Sequence, residues 1–402
     1  MSETTEPNVG SFTLGGPLTA EPAGTIEVPE HQEWPLPNGF AWVFPGEGNT
    51  SGLVRPVIMA DGFNLGRSKL DALYHGLENG EFPFISELRR RGRDVILLGF
   101  EERSASIRDN AQAAEAAVMR AIAEQQGDAR LAVGGFSMGG IVTRYALARM
   151  ETRRIDHRTA LYFSYDSPHR GATIPVGVQA FSYFIPFPND FARQMSSPAA
   201  CQMLWQHYDP ETGKTGVSPL RTDFLDDLDR VGGWPRIPRT IAVANGRADG
   251  VGLPEVKAGE VALRIERIYP GTTFYAQAQG DDVTAAYLNR RLPKAEETIT
   301  TSDFPELDGA PGGTLHTYKI LADTLEKLGG KAELRHEDVC FVPSVSAVAI
   351  RDIDQQGNLY ANIGELNSEE SELDDFLCSS TTTAHTAITE ELCTWIIDRL
   401  PS

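Results

Sequence analysis

Four apolar, β-prone runs separated by helix-forming stretches constrain this chain more than any other feature. They are Pro56–Ala60 (PVIMA), Asp94–Phe100 (DVILLGF), residues 130–135 (RLAVGG) and residues 160–165 (ALYFSY). Runs of this kind belong to strands buried on both faces rather than to strands with one wet face. Between them lie a helical stretch over about residues 68–91, an Ala-rich one over 106–125 (SIRDNAQAAEAAVMRAIAEQ), and a third that ends near Met150. The alternation calls for a mostly parallel sheet covered by helices on both faces. Function in such a sheet sits at the carboxyl ends of the strands.

The third run leads directly into Gly135-Phe136-Ser137-Met138-Gly139 and then a helix. A tight strand-to-helix turn holds its central residue in a strained conformation, and side chains two positions either side would collide, so both must be Gly. Ser137 is thereby presented at the turn's apex, and the helix that begins there aims its first free N–H groups, Met138 foremost, at an oxyanion formed on it. A dinucleotide fingerprint is the rival reading of a glycine-rich turn. It would need Gly where Phe136 stands, and the chain has no phosphate loop of the G-x-x-x-x-G-K-[ST] type.

The alternation breaks after Ala172. Residues 173–234 carry Phe181, Tyr183, Phe184, Phe187, Phe191, Met195, Met203, Leu204 and Trp205 among Pro and polar residues, which predicts a helical cap insertion with an apolar underside. Phe181, Phe184 and Trp205 are the expected substrate-binding residues of that cap. The sheet is expected to resume at residues 239–246, followed by a second, β-containing insertion over 251–330, a last sheet segment over about 338–350 and a final helix over about 389–400. Residues 1–24 are expected to form a disordered tail, leaving 25–172 and 235–402 as the core.

With 36 basic and 56 acidic residues the chain carries a formal charge of -20, which disfavours nucleic-acid binding. The acidic stretch over 365–375 (ELNSEESELDD) is read as a solvated loop. The N-terminus shows no secretory signal and no run is long enough to span a membrane, so a cytoplasmic location without stable membrane insertion is expected. Cys201, Cys340, Cys378 and Cys393 form no CxxC pair, there is no HExxH, and Asp308 lacks the alternating carboxylates of a calcium loop. No metal and no cofactor is therefore implied, and oligomeric state is not legible.

The segments GFSMGG and Ser167-Pro168-His169-Arg170-Gly171-Ala172 resemble those of α/β-hydrolases of the lipase and esterase type, over most of residues 40–400. Ala60-Asp61-Gly62-Phe63 sits where such enzymes carry an HG-plus-hydrophobe oxyanion turn, with Asp61 in place of the usual His. Phe341-Val342-Pro343-Ser344-Val345-Ser346-Ala347 is similar to a VPxxSA segment that precedes their catalytic His. The resemblance implies an α/β-hydrolase fold and a second oxyanion donor, the backbone N–H of Phe63 beside that of Met138. A serine needs a base, and the chain order nucleophile, acid, His selects His385, in the polar loop before the last helix. His169 is read as a structural turn residue. For the acid, Asp249 follows the strand where most members of the fold place it; Asp166 and Asp338 are the alternatives. These residues predict a serine hydrolase of the lipase or carboxylesterase type acting on a small-molecule carboxylic ester with an apolar group. Thioester, lactone or amide cleavage and acyl transfer use the same parts, and a non-catalytic protein holding an apolar ligand is the alternative of another class.

Overall fold

The computed structural model describes residues 27–50 and 52–402. The expected tail over 1–24 lies outside them. An eight-stranded sheet runs through the molecule: β1 (Gln32–Leu36), β2 (Gly39–Phe44), β3 (Pro56–Ala60), β4 (Asp94–Phe100), β5 (Leu131–Phe136), β6 (Thr159–Tyr165), β7 (Arg239–Ala244) and β8 (Asp375–Cys378). Their order across the sheet is β1-β2-β4-β3-β5-β6-β7-β8. β2 pairs antiparallel with β1 and β4, and every later neighbour is parallel.

Register places the site. Ala60 lies opposite both Leu98 and Gly135, Phe136 lies opposite Tyr165, and Tyr165 opposite Val243. The exits of β3, β5 and β6 are therefore level, and the residues after them meet at one edge. Helix α3 (Ile107–Glu124), capped by the Ser106 side chain on Asp109 N, buries an alanine face through Ala111, Ala114, Ala117 and Ala121. It packs with α4 (Met138–Thr152) on one side of the sheet. On the other side lie α1 (Leu70–Glu78), α2 (Phe84–Arg90) and the C-terminal helix Glu390–Ile397, which share a core of Leu77, Phe84, Leu88, Leu392 and Ile396.

Two expectations are corrected. The stretch over 68–91 is two helices, interrupted by Asn79-Gly80 and Pro83. The last strand of the main sheet is β8, at the end of the acidic run, and not the segment over 338–350. There Val339–Pro343 instead pairs with Gly312–Leu315 as a separate ribbon, followed by a helical turn over Ser344–Ala347. β8 is a four-residue edge strand with one free side, so it needs no continuous apolar run to announce it.

Residues 173–234 hold α5 (Val176–Phe184), α6 (Asp190–Met195), α7 (Pro198–Met203), a small hairpin (His207–Asp209, Lys214–Gly216) and α8 (Pro219–Arg230). A second, antiparallel sheet runs Lys294–Thr301, Val283–Arg291, Thr273–Tyr275, Val261–Arg267, Lys331–Leu334. Its fifth strand falls just beyond the expected boundary at 330. Among the described residues no helix is long and apolar enough to cross a membrane.

Asp308, fully buried beside this sheet, accepts from Gln277 N at 3.0 Å and has Tyr318 Oη only at 3.5 Å. Burial pushes its carboxyl up to about 6. The folded chain thus holds this proton at a pH where the unfolded chain, with a carboxyl near 4, has lost it. The group's stabilising contribution is complete below about pH 4 and is lost as pH rises through about 6. Asp308→Asn keeps an acceptor for Gln277 N and should raise stability by roughly 2–3 kcal/mol at pH 8 in urea unfolding, with the gain absent at pH 4. Equal stability of the two proteins at pH 8 would contradict this account.

Candidate active site

Ser137 stands between β5 and α4 with φ 52° and ψ -122°, a left-handed conformation that costs a non-Gly residue energy and is retained only where the surroundings enforce it. They do so sterically. A Cβ on Gly135 would lie 2.4 Å from the Gly139 backbone, and one on Gly139 would lie 2.3 Å from Ala60 O. The turn is thus locked between its own helix and the exit of β3. Ser137 N donates to Tyr165 O at 2.9 Å, which ties the turn to β6.

Two side chains from distant parts of the sequence converge on it. His385 Nε2 lies 2.8 Å from Ser137 Oγ, and His385 Nδ1 lies 2.6 Å from Asp166 Oδ2. With a carboxylate on Nδ1 the proton belongs there, leaving the Nε2 lone pair to accept from the serine hydroxyl; this tautomer is assigned from the hydrogen-bond pattern. Asp166, the residue directly after β6, is fully buried, and its Oδ1 accepts from Asn245 N at 3.0 Å. The His385 loop is held from both sides. Its amide donates to Thr314 O at 2.7 Å, Thr383 N donates to Asn245 O at 3.0 Å, and the Phe341 ring meets the imidazole edge-on with centroids 4.7 Å apart.

The preferred acid expectation, Asp249, is corrected. Asp249 does follow β7, but its half-exposed carboxylate pairs with Arg247, which holds its pKa below the ordinary value, and accepts from Val251 N at 3.0 Å. Asp338 is likewise engaged elsewhere, with His316 Nδ1 at 2.5 Å. Neither is a partner of His385. The reason is register: β6 is the immediate neighbour of β5, so the first residue past Tyr165 is one step from Ser137. A φ of 48° at Asp166 belongs to the sharp turn at that point. His169 is occupied by Ser164 Oγ at 2.9 Å and by Arg144 at 3.3 Å, and burial first, then Arg144, keep its pKa far below the usual histidine value.

An eight-stranded sheet of this order, a serine on a strained strand-to-helix turn after β5, and an acid and a histidine following it in the chain decide the architecture. The chain has the α/β-hydrolase fold. No family profile and no curated protein matches its sequence. Among solved structures it is similar to the mature form of Bacillus licheniformis lipase BlEst2, at 13% identity and a TM-score of 0.33, over 52% of this chain and 72% of that one. It is also similar to an esterase from Pyrobaculum calidifontis, at 14% identity and a TM-score of 0.35, over 54% of this chain and 66% of that one. A third similar structure is from a study of two fungal esterases of Rhizomucor miehei, at 13% identity and a TM-score of 0.32, over 54% and 64%. Likenesses this distant say nothing about what the chain acts on.

A cavity opens beside Ser137. It is bordered by Phe63 from the turn after β3, Pro168 and Ala172 from the segment after β6, Met195, Ala200, Met203 and Leu204 from the cap, and Phe341. Its free space is about 20 Å³, enough for about one water. Ser137 is only 2% exposed and His385 6%, so the cap lies closed over them. The expected substrate-binding aromatics are not at this cavity. Phe181 is packed edge-on against Phe274 of the second sheet and Tyr269 in the turn that precedes it, Phe184 lies under the Arg290 guanidinium, and Trp205 rests on Phe304. The second sheet takes up the aromatic face of α5 as core, leaving the smaller, flexible side chains of α6 and α7 to line the site. Phe63 borders the cavity together with Ser137, and Met138 opens α4. No group of three or more His, Cys, Asp and Glu side chains among the described residues could hold a metal ion.

Proposed function

We propose that this protein is a serine hydrolase that cleaves carboxylic esters with a small apolar acyl group, through an acyl-enzyme on Ser137. The observation that carries the proposal is the continuous chain Ser137 Oγ, His385 Nε2, His385 Nδ1, Asp166 Oδ2, with spacings of 2.8 and 2.6 Å, at the mouth of an apolar cavity. In this reading Ser137 Oγ attacks the ester carbonyl while His385 Nε2 takes its proton, and Asp166 stabilises the imidazolium and fixes its tautomer. The carbonyl oxygen, now an oxyanion, accepts from the amides of Met138 and Phe63; the loss of one such donor commonly costs about 3–4 kcal/mol of transition-state stabilisation. His385 then gives the proton to the leaving alcohol. A water repeats the sequence in reverse on the acyl-enzyme and frees the acid.

The cavity walls are wholly apolar side chains at Met195, Ala200, Met203, Leu204 and Phe341, which favour a hydrocarbon acyl group over a charged or hydroxylated one. With the cap in this position the space holds about one water, less than an acetyl group, so each further methylene must displace more of the α6 and α7 side chains, which favours a short one. Across p-nitrophenyl esters from acetate to palmitate, kcat/KM should be highest for acetate to butyrate and fall at least roughly tenfold by palmitate, since each misplaced methylene costs on the order of 1 kcal/mol or more. Turnover that rises steadily to palmitate would reject the short-acyl reading. No turnover of any ester would reject hydrolysis.

A further inference from the structure

Asp61 is the most conspicuous departure from the lipase-like pattern, and its carboxylate is completely buried. Its environment is specific. Oδ1 accepts from Gly62 N at 2.6 Å, and Oδ2 accepts from Ser68 Oγ at 2.6 Å. Ser68 in turn is tied to the end of β4, its amide donating to Phe100 O at 2.9 Å and its hydroxyl accepting from Phe100 N at 3.0 Å. Asp61 N donates to Leu98 O at 2.9 Å. Arg103, itself nearly buried, sits 3.8 Å from Oδ2 and donates to Gly66 O at 3.2 Å and Leu65 O at 3.1 Å. The loop over 61–68 is therefore wrapped around one carboxylate and closed by one guanidinium.

This wrapping bears on the reacting centre. The Ala60 and Asp61 carbonyls press on Gly139, the second residue of α4, so the turn after β3 and the helix start that carries Met138 N are in direct contact. Within the turn the Gly62 amide is taken by the Asp61 carboxylate, whereas the next amide, that of Phe63, donates to no protein acceptor among the described residues. We infer that Asp61 is the positioning residue of the oxyanion site: its carboxylate captures the Gly62 amide and so sets the 61–63 backbone with Phe63 N–H left to a substrate oxygen beside Met138 N–H.

The inference rests on the esterase reading, and the two fail in different ways. Wild-type protein without ester turnover removes that reading; active wild type with unaffected Asp61 variants removes this inference alone. With p-nitrophenyl acetate, Asp61→Ala should lower kcat about 10- to 100-fold with KM within about twofold, because an oxyanion donor acts on the transition state and not on the bound ester. The rate of capture by a fluorophosphonate, which places an oxyanion at the same point, should fall in parallel. Asp61→Asn keeps an acceptor for Gly62 N and should restore kcat to within about fivefold of wild type. An Asp61→Ala protein with a lower Tm but unchanged kcat would make the residue merely structural and overturn the inference, as would an equal loss in Asp61→Asn and Asp61→Ala. Should Asp61→Ala not fold, Ser68→Ala decides. It withdraws one donor from the same carboxylate, and a kcat lowered at least threefold at constant KM supports the inference while an unchanged kcat overturns it.

Discussion

Asp166→Asn is expected to lower kcat on p-nitrophenyl acetate by about 10⁴-fold with KM nearly unchanged, the size of effect that loss of the orienting carboxylate has in a serine-histidine-aspartate site. The argument is one of tautomer. Asp166 is fully buried with one oxygen on His385 Nδ1 and the other on Asn245 N, so it can only accept. An asparagine amide facing Nδ1 would donate instead, moving the imidazole proton to Nε2 and taking away the lone pair that removes the serine proton. Asp249→Asn and Asp338→Asn serve as controls. Their carboxylates pair with Arg247 and His316 respectively, and each variant should keep kcat within about twofold, the range of a surface change away from the site. A large loss in Asp249→Asn with Asp166→Asn intact would return the acid to the turn after β7.

Ser137→Ala should have the largest effect, about 10⁶-fold on kcat, and His385→Ala should cost nearly as much. The double variant should lose no more than either single one, because nucleophile and base act as a unit and removing one already idles the other. Stability should change little or improve in Ser137→Ala, since alanine at φ 52° is strained as serine is and one buried hydroxyl is removed. Additive losses in the double variant would mean that His385 acts on something other than Ser137.

The elements legible in the sequence were those specified locally. The apolar runs of β3 to β6 and the glycines flanking Ser137 carry their reasons within a few residues: burial on both faces, and a backbone contact of Gly135 with Gly139. His385 was reachable because chain order and a polar loop before the last helix are also local features. The carboxylate that meets His385, Asp166, was offered only as an alternative, because choosing it over Asp249 depends on which strand end lies beside Ser137 and where each carboxylate points. Asp249 stands in the expected turn yet folds toward Arg247, two residues away. Similarly, β8 was hidden because Phe376-Leu377-Cys378, three apolar residues at the end of a run of carboxylates, is too short a run to announce a strand. The cap was recognisable as an aromatic insertion, but Phe181 and Phe184 belong to the core it shares with the second sheet, a packing partner formed largely by residues some eighty to one hundred and twenty positions later.

Reaction with a fluorophosphonate probe, read by intact mass and peptide mapping, tests the central claim most directly, because phosphonylation requires a serine activated by its neighbours. The account predicts a single adduct on the peptide containing Ser137, absent in Ser137→Ala and formed far more slowly in Asp166→Asn. Wild-type protein left unmodified, or an adduct that persists in Ser137→Ala, would contradict it.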